Sequence, residues 1–241
     1  THSLTGSDMQ HNRVVSIKQR SSDTGQYNAS EGLSYREMPK RKLNITTLEK
    51  YGVGFRGSDI VFPYGNDTAA KVRINGEKNF RTEGNWNETP YLFGQERFNA
   101  GGKRILVVEG EFDVLAMHQC GFKNTISIPN GANDNDDFWI NSEKYLKDVD
   151  KFYIATDNDD KGEVVAEKIA QRLGRYRCVR VLFENKDANG DLQEGGADLV
   201  VQSITNARRY PASGTFTIED LSSGIYDLYD NGLPETLYPK H

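Results

Sequence analysis

The sequence predicts an α/β protein whose main part is a parallel sheet with flanking helices, preceded by a small α+β subdomain. Two observations carry this. From Lys103 onward, short apolar runs alternate with stretches of helical periodicity, the pattern of strands and crossover helices in a parallel sheet. Before that point, a short helical stretch is followed by two apolar runs split by the turn sequence GNDT, which reads as a helix and a hairpin.

Taken in order, residues 1–33 are rich in Ser, Gly, Asn, Gln and charge without apolar periodicity, and are expected to be a flexible linker. Residues 34–100 form the α+β subdomain, with a helix over Asn44–Lys50 and hairpin strands over Asp59–Tyr64 and Ala69–Ile74. Residues 101–210 form the parallel-sheet domain. Its strands are expected at Ile105–Val108, Thr125–Ile128, Phe152–Ala155 and Val179–Phe183, and its helices at Asp113–Gln119, Phe138–Leu146, Glu163–Leu173 and Ala197–Ala207. The third helix is the clearest, because Val164, Val165, Ile169 and Leu173 share helical spacing and Gly174 follows as a C-cap. Residues 211–241, rich in Ser, Asp and Gly, read as a tail or linker.

Composition narrows the chemistry. The 241 residues contain no apolar run long enough to span a bilayer, and the polar start lacks a signal pattern, so no membrane role is expected. The chain does not begin with Met and is read as a piece of something longer. Cys120 and Cys178 are far apart without a CxxC or neighbouring His, so neither zinc nor a disulfide is expected, and a reducing compartment fits. No GxxxxGK[ST] occurs, which leaves any P-loop motor to another polypeptide or domain. The net charge of -5 is unevenly spread: Lys71 to Arg104 hold seven Lys or Arg, while acids gather at 109–113, 134–137 and 157–160.

Those acids lie where a parallel sheet places ligands, beyond the C-terminal ends of its strands. The first strand runs into Glu109-Gly110-Glu111, the third into Asp157-Asn158-Asp159-Asp160, and the fourth reaches Asp187. Carboxylates brought to one edge repel each other unless a hard cation joins them, and oxygen-only ligands suit Mg2+. Gly110 and Gly162 permit close backbone approach beside the acids. Taken alone, Asp113 or Asp160 reads as a helix N-cap, and DNDDKG lacks the Glu that an EF-hand needs. The ordered combination is what points to metal-assisted phosphate chemistry. In the basic segment, Lys71, Arg73, Lys78 and Arg81 are the candidates for phosphate binding. Among its aromatics, Phe80 and Phe93 are expected in the core and Trp86 at the surface, while His118 and Cys120 are given no role.

The segments VVEGEFDVL and ATDNDDKG resemble the TOPRIM pattern, a strand with EGxxD and a later strand with DxD. That family includes primases, topoisomerases and repair proteins. The flanking KVRINGEKNFRTEGN, YLFGQERF and FENKDANGDL resemble the primase part of T-odd phage primase-helicases and Twinkle, so the likeness covers roughly residues 37–207. It implies a TOPRIM fold and a Mg2+-dependent (or Mn2+-dependent) DNA primase, a DNA-directed RNA polymerase that makes RNA primers in DNA replication by nucleotidyl transfer. It further implies Glu109 as catalytic acid or base, Glu109, Asp157, Asp159 and Asp187 as metal ligands, and Lys71 and Lys78 as catalytic lysines that bind nucleotide and primer. The implied partners are single-stranded DNA, ribonucleoside triphosphates, a helicase domain or protein reached through residues 211–241, and a zinc-binding template-recognition module. The implied setting is the cytoplasm of a phage-infected cell, or the mitochondrial matrix or nucleoid. Two rivals share the fold: a Twinkle-like module that only binds single-stranded DNA, and a TOPRIM nuclease or topoisomerase.

Overall fold

The structure is a computed structural model that describes residues 26–88, 91–97, 103–129 and 136–210. Most of the expected linker, the end of the first subdomain, Asp134 and the whole 211–241 tail lie outside the described residues.

The small unit begins with helix α1 (Ile45–Tyr51), started by Asn44, whose side chain accepts the Thr47 N–H at 2.8 Å, and stopped by Gly52 in the left-handed conformation. Strands β1 (Gly54–Arg56), β2 (Asp59–Tyr64), β3 (Ala69–Arg73) and β4 (Phe80–Gly84) follow as an antiparallel sheet in chain order. Register sorts the residues by face, because Phe62 pairs with Lys71 and Val61 with Val72. Ile60, Phe62 and Tyr64 enter the central core, while Val61, Ala70 and Val72 make a second small cluster on the other face. β1 and β4 were not expected from sequence, since GFR and FRTEG carry little apolar alternation.

That second face corrects the linker boundary. Residues 27–33 pack on it: Ala29 is fully buried, its N–H reaches Asp67 O at 2.8 Å, and the Tyr27 hydroxyl donates to Glu83 Oε2 at 2.8 Å. A polar composition hid this strap because its attachment is made by hydrogen bonds to a sheet distant in sequence.

The larger unit comprises β5 (Arg104–Val108), α2 (Glu111–Gln119), β6 (Thr125–Ser127), α3 (Asp136–Leu146), β7 (Lys151–Ala155), α4 (Asp160–Leu173), β8 (Cys178–Arg180), α5 (Ala188–Thr205) and β9 (Arg208–Arg209). The sheet order is β6-β5-β7-β8-β9, parallel except for the last strand. Alternation along β5 explains the layering: Ile105 and Val107 join α3 and α4, whereas Leu106 and Val108 join α2, α5 and the small sheet. α2 thus lies within the core shared by the two units. β8 stops at Arg180, short of the expected Phe183, and α5 starts at Ala188 rather than Ala197. A bend at Gly196, with φ of 71°, divides α5, and only its second half shows strong helical periodicity in sequence.

Phe93 ties the units together. It is 2% exposed, contacts the rings of Tyr51, Phe62 and Tyr64, and exchanges backbone hydrogen bonds of 3.0 and 3.1 Å with Ser127. Phe93→Ala is expected to cost about 3–5 kcal/mol through the cavity it leaves. Thermal denaturation should show a Tm lower by on the order of 10 °C for a domain of this size, and an unchanged Tm contradicts the bridging role.

Candidate metal and phosphate site

Three of the parallel strands deliver acids to one edge. β5 ends in Glu109 and leads through Gly110 into α2, placing Asp113 in its first turn. β7 ends in Asp157 and Asp159, and the loop after β8 ends in Asp187. Asp159 and Asp187 are the N-caps of α4 and α5, accepting the N–H groups of Gly162 at 2.9 Å and Gly190 at 2.7 Å. Anionic groups are favoured there by the helix ends. Gly162 is also required by space: a Cβ would stand 2.0 Å from the Asp157 carbonyl oxygen.

Asp113, Asp157 and Asp187 each bring a carboxylate oxygen to within 4.8 Å of the others. Asp113 is buried, and its Oδ1 accepts the Asn189 N–H at 3.0 Å. Burial, and then the charge of Asp187, push its carboxyl well above the usual range. Burial raises Asp157 as well, although its bond with Lys186 acts in the opposite direction. Glu109 is raised by burial and then by Asp157, whose N–H lies 3.4 Å from Glu109 Oε2. Asp159 is held low, chiefly by the Gly162 N–H. Lys186 spans Asp157 and Asp159, and these bonds raise its ammonium group despite the opposing effect of burial. The residues fit a hard divalent cation: the donors are all oxygens, they converge from three strand ends, and two are held in an environment that penalises their charge.

Of the acids expected to bind metal, the structure brings Asp157 and Asp187 together with Asp113, whereas Glu109 and Asp159 stand beside this tight group. Asp113 was passed over as a cap. Gly110 is the N-cap, and Asp113 turns inward because α5 supplies the Asn189 N–H, a contact far away in sequence. The available signal was its place four residues after Glu109, one helical turn along EGEFD.

The basic side is sorted by the small sheet. Lys71 lies on the core-facing side, where its Nζ donates to Glu111 Oε1 at 2.7 Å and to Pro129 O at 2.5 Å. Tyr64 donates to the same Glu111 oxygen at 2.8 Å. Arg73 shares that face, with its guanidinium 5.5 Å from the Phe112 ring centre. Arg81 does not: it pairs with Asp59 at 2.8 Å and Glu83 at 2.9 Å on the opposite face, because β4 side chains alternate. It is corrected from a phosphate candidate to part of the network with Arg56 and Tyr27. Lys78 is exposed in the β3–β4 connection. Phe80, expected in the core, is only half-buried, with Lys71 Nζ 4.7 Å from its ring centre. Trp86 is not freely exposed, since its ring packs edge-on against Tyr64 at 4.9 Å.

Arg41 was not anticipated. Its guanidinium stacks 3.7 Å from the Phe112 centre and donates to Asn189 Oδ1 at 2.9 Å, on the residue whose backbone holds Asp113. Arg41 and Arg73 thus bring two guanidinium groups to the Phe112 ring, and burial, then the charge of Arg73, lower the affinity of Arg41 for a proton.

Residues 103–182 match the Toprim domain family. The chain carries a Toprim domain. The likeness extends past it: the chain is 38% identical over 147 residues to the chloroplastic/mitochondrial Twinkle homolog protein of Arabidopsis thaliana, covering 52% of this chain and 21% of that protein. It is 25% identical over 224 residues to the DNA helicase/primase of Enterobacteria phage T3, covering 88% of this chain and 39% of that protein. The chain thus spans roughly a fifth to two fifths of these relatives' length. Among solved structures, the primase fragment of the bacteriophage T7 primase-helicase protein superposes with a TM-score of 0.64 at 26% identity, covering 78% of this chain and 83% of the fragment. The chain is homologous to the phage primase-helicases and to Twinkle, and its fold is that of primase catalytic cores. No helix among the described residues is long and apolar enough to cross a membrane.

The Toprim acids have a measurable cost. A carboxyl whose pKa is raised by folding subtracts stability as pH rises from its unfolded value of about 3.9 through its folded value. Asp113→Asn keeps an acceptor for Asn189 and removes that charge. In EDTA at pH 8 the variant should melt several degrees above the parent, and the gap should close as pH falls below ~4, where Asp113 becomes protonated in both states. A variant that melts below the parent in EDTA contradicts the assigned strain.

Proposed function

We propose that this chain is the catalytic core of a DNA primase, joining ribonucleotides on a single-stranded DNA template. The observation that carries the reading is the convergence of Asp113, Asp157 and Asp187 beside a cationic group of Arg41, Lys71 and Arg73. A protein that only held DNA gains nothing from a carboxylate cluster, since such a cluster repels phosphate unless a cation is present.

In this reading Asp113, Asp157 and Asp187 hold Mg2+ or Mn2+, with Asp159 as an outer neighbour. When bound, the cation lowers the pKa of the attacking hydroxyl and stabilises the leaving oxygen. The chain's own residues supply the rest. The 3'-hydroxyl of one ribonucleotide attacks the α-phosphorus of the next, the bond to the β-phosphate oxygen breaks, and pyrophosphate leaves. Glu109, whose carboxylate is raised towards the working pH by burial, accepts the hydroxyl proton. Arg41, Lys71, Arg73 and the exposed Lys78 grip the triphosphate and primer. Sequence is read by base pairing with the template, so the protein contributes affinity through cations and the binding should weaken steeply with salt.

The lengths and names of the relatives extend the proposal. The chain works with a helicase domain or protein and with a zinc-binding template-recognition module, either in the cytoplasm of a phage-infected cell or in the mitochondrial matrix or nucleoid. In this reading the chain divides into a nucleotide- and template-gripping subdomain over 34–100 and the Toprim domain over 101–210, with 211–241 leading towards a helicase.

Extension of a dinucleotide by labelled ribonucleotides on single-stranded DNA with Mg2+ tests the reading. Asp157→Ala and Glu109→Ala should each lose at least ~100-fold in extension rate, the scale of losing a group that stabilises transition-state charge, while DNA affinity falls little. Tight DNA binding by the parent chain without extension would sink the primase reading in favour of a binding module. Cleavage of the DNA would favour a nuclease.

A further inference from the structure

Lys186 is absent from every role assigned so far, and its surroundings are unusual for an exposed lysine. Its Nζ forms ion pairs with Asp157 and, at 3.7 Å, with Asp159, while its side chain remains 55% exposed. The backbone beneath it is fixed. The Asn158 N–H donates to Lys186 O at 2.6 Å, the Asn158 side chain donates to Phe183 O at 3.1 Å, and the next residue, Asp187, caps α5. The main chain of Lys186 is therefore stapled to the DNDD loop, and its flexible stem is the part left free to turn. A tethered ammonium on two carboxylates of a cation site occupies the electrostatic place of a cation.

We propose that Lys186 is an internal counter-ion: it neutralises Asp157 and Asp159 until a divalent cation arrives, and then transfers to the phosphate that the cation carries. This rests on the reading of the site as one for a cation and a nucleoside triphosphate. Two consequences follow from charge alone. A bare cation must compete with an ammonium held at high local concentration, so it binds weakly. A cation–triphosphate complex brings a new anionic partner for the displaced ammonium, so cation and nucleotide bind cooperatively, each strengthening the other by the same factor. The arrangement keeps the acids neutralised between turnovers and favours loading of cation and nucleotide together.

Calorimetric titration of the intact chain with Mn2+, alone and with a non-hydrolysable ribonucleoside triphosphate, tests this in the parent, Lys186→Gln and Lys186→Arg. The Gln variant should bind Mn2+ alone roughly tenfold tighter, as expected for removing one nearby positive charge at a partly exposed site. Its enhancement of Mn2+ binding by the triphosphate should shrink by a similar factor, and the Arg variant should behave as the parent. Unchanged or weaker Mn2+ binding by the Gln variant overturns the proposal, as does an undiminished enhancement. Because the titration needs no RNA synthesis, a chain that binds Mn2+ in this way but makes no primer would refute the primase reading and leave the role of Lys186 intact.

Discussion

Negative charge concentrated at one edge of a parallel sheet is the constraint around which the rest of this molecule is organised. β5, β7 and β8 run side by side, so residues thirty or more positions apart in sequence arrive at a common boundary between sheet and solvent. Asp113 is buried there, and Asp157 and Glu109 are raised by desolvation. Such a site is tolerated because neighbouring groups share the burden: helix starts hold Asp159 and Asp187, an Asn189 N–H holds Asp113, and Lys186 spans Asp157 and Asp159. None of these contacts provides the divalent positive charge to which three oxygens converge.

The small antiparallel sheet answers with the opposite sign. Its two faces do different work. The outer face carries the Arg56, Arg81, Asp59, Glu83 and Tyr27 network, whose charges are paired with one another and which helps fasten the 27–33 strap. The inner face carries Lys71 and Arg73 above a floor of Phe62, Phe80 and Phe112, close to the acids of the Toprim domain. Phe112 links the halves, receiving Arg41 and Arg73 on its ring while its own helix bears Asp113. Packing at this junction therefore sets the spacing between the clustered acids of one unit and the basic side chains of the other.

Much of this was legible in the sequence. The alternating runs from Lys103 onward gave the order of strands and helices, and acids after three of those strands located the site's edge. The elements that escaped were those whose stability is not local. FRTEG in β4 lacks an apolar face because its outer residues are stabilised by ion pairs with β1 and β2 and by a hydrogen bond from the strap. The first half of α5 is hidden by its glycines and acids, which serve Asp113 and the cap instead of a hydrophobic stripe. Arg81 and Arg73 look alike in sequence, and only the strand pairing separates their faces. Arg41 lies in a short turn with no motif of its own, and its importance depends on Phe112 and Asn189 from the other unit.

The central claim is that Asp113, Asp157 and Asp187 form one cation-binding locus. Anomalous diffraction at the manganese edge, from crystals of the chain soaked in MnCl2, tests it most directly. A single locus should give a peak among these three side chains, with metal–oxygen distances of about 2.0–2.2 Å as for a small hard cation, and the peak should be lost in Asp157→Asn crystals. A manganese peak elsewhere, with these three carboxylates empty at saturating metal, would contradict a shared locus.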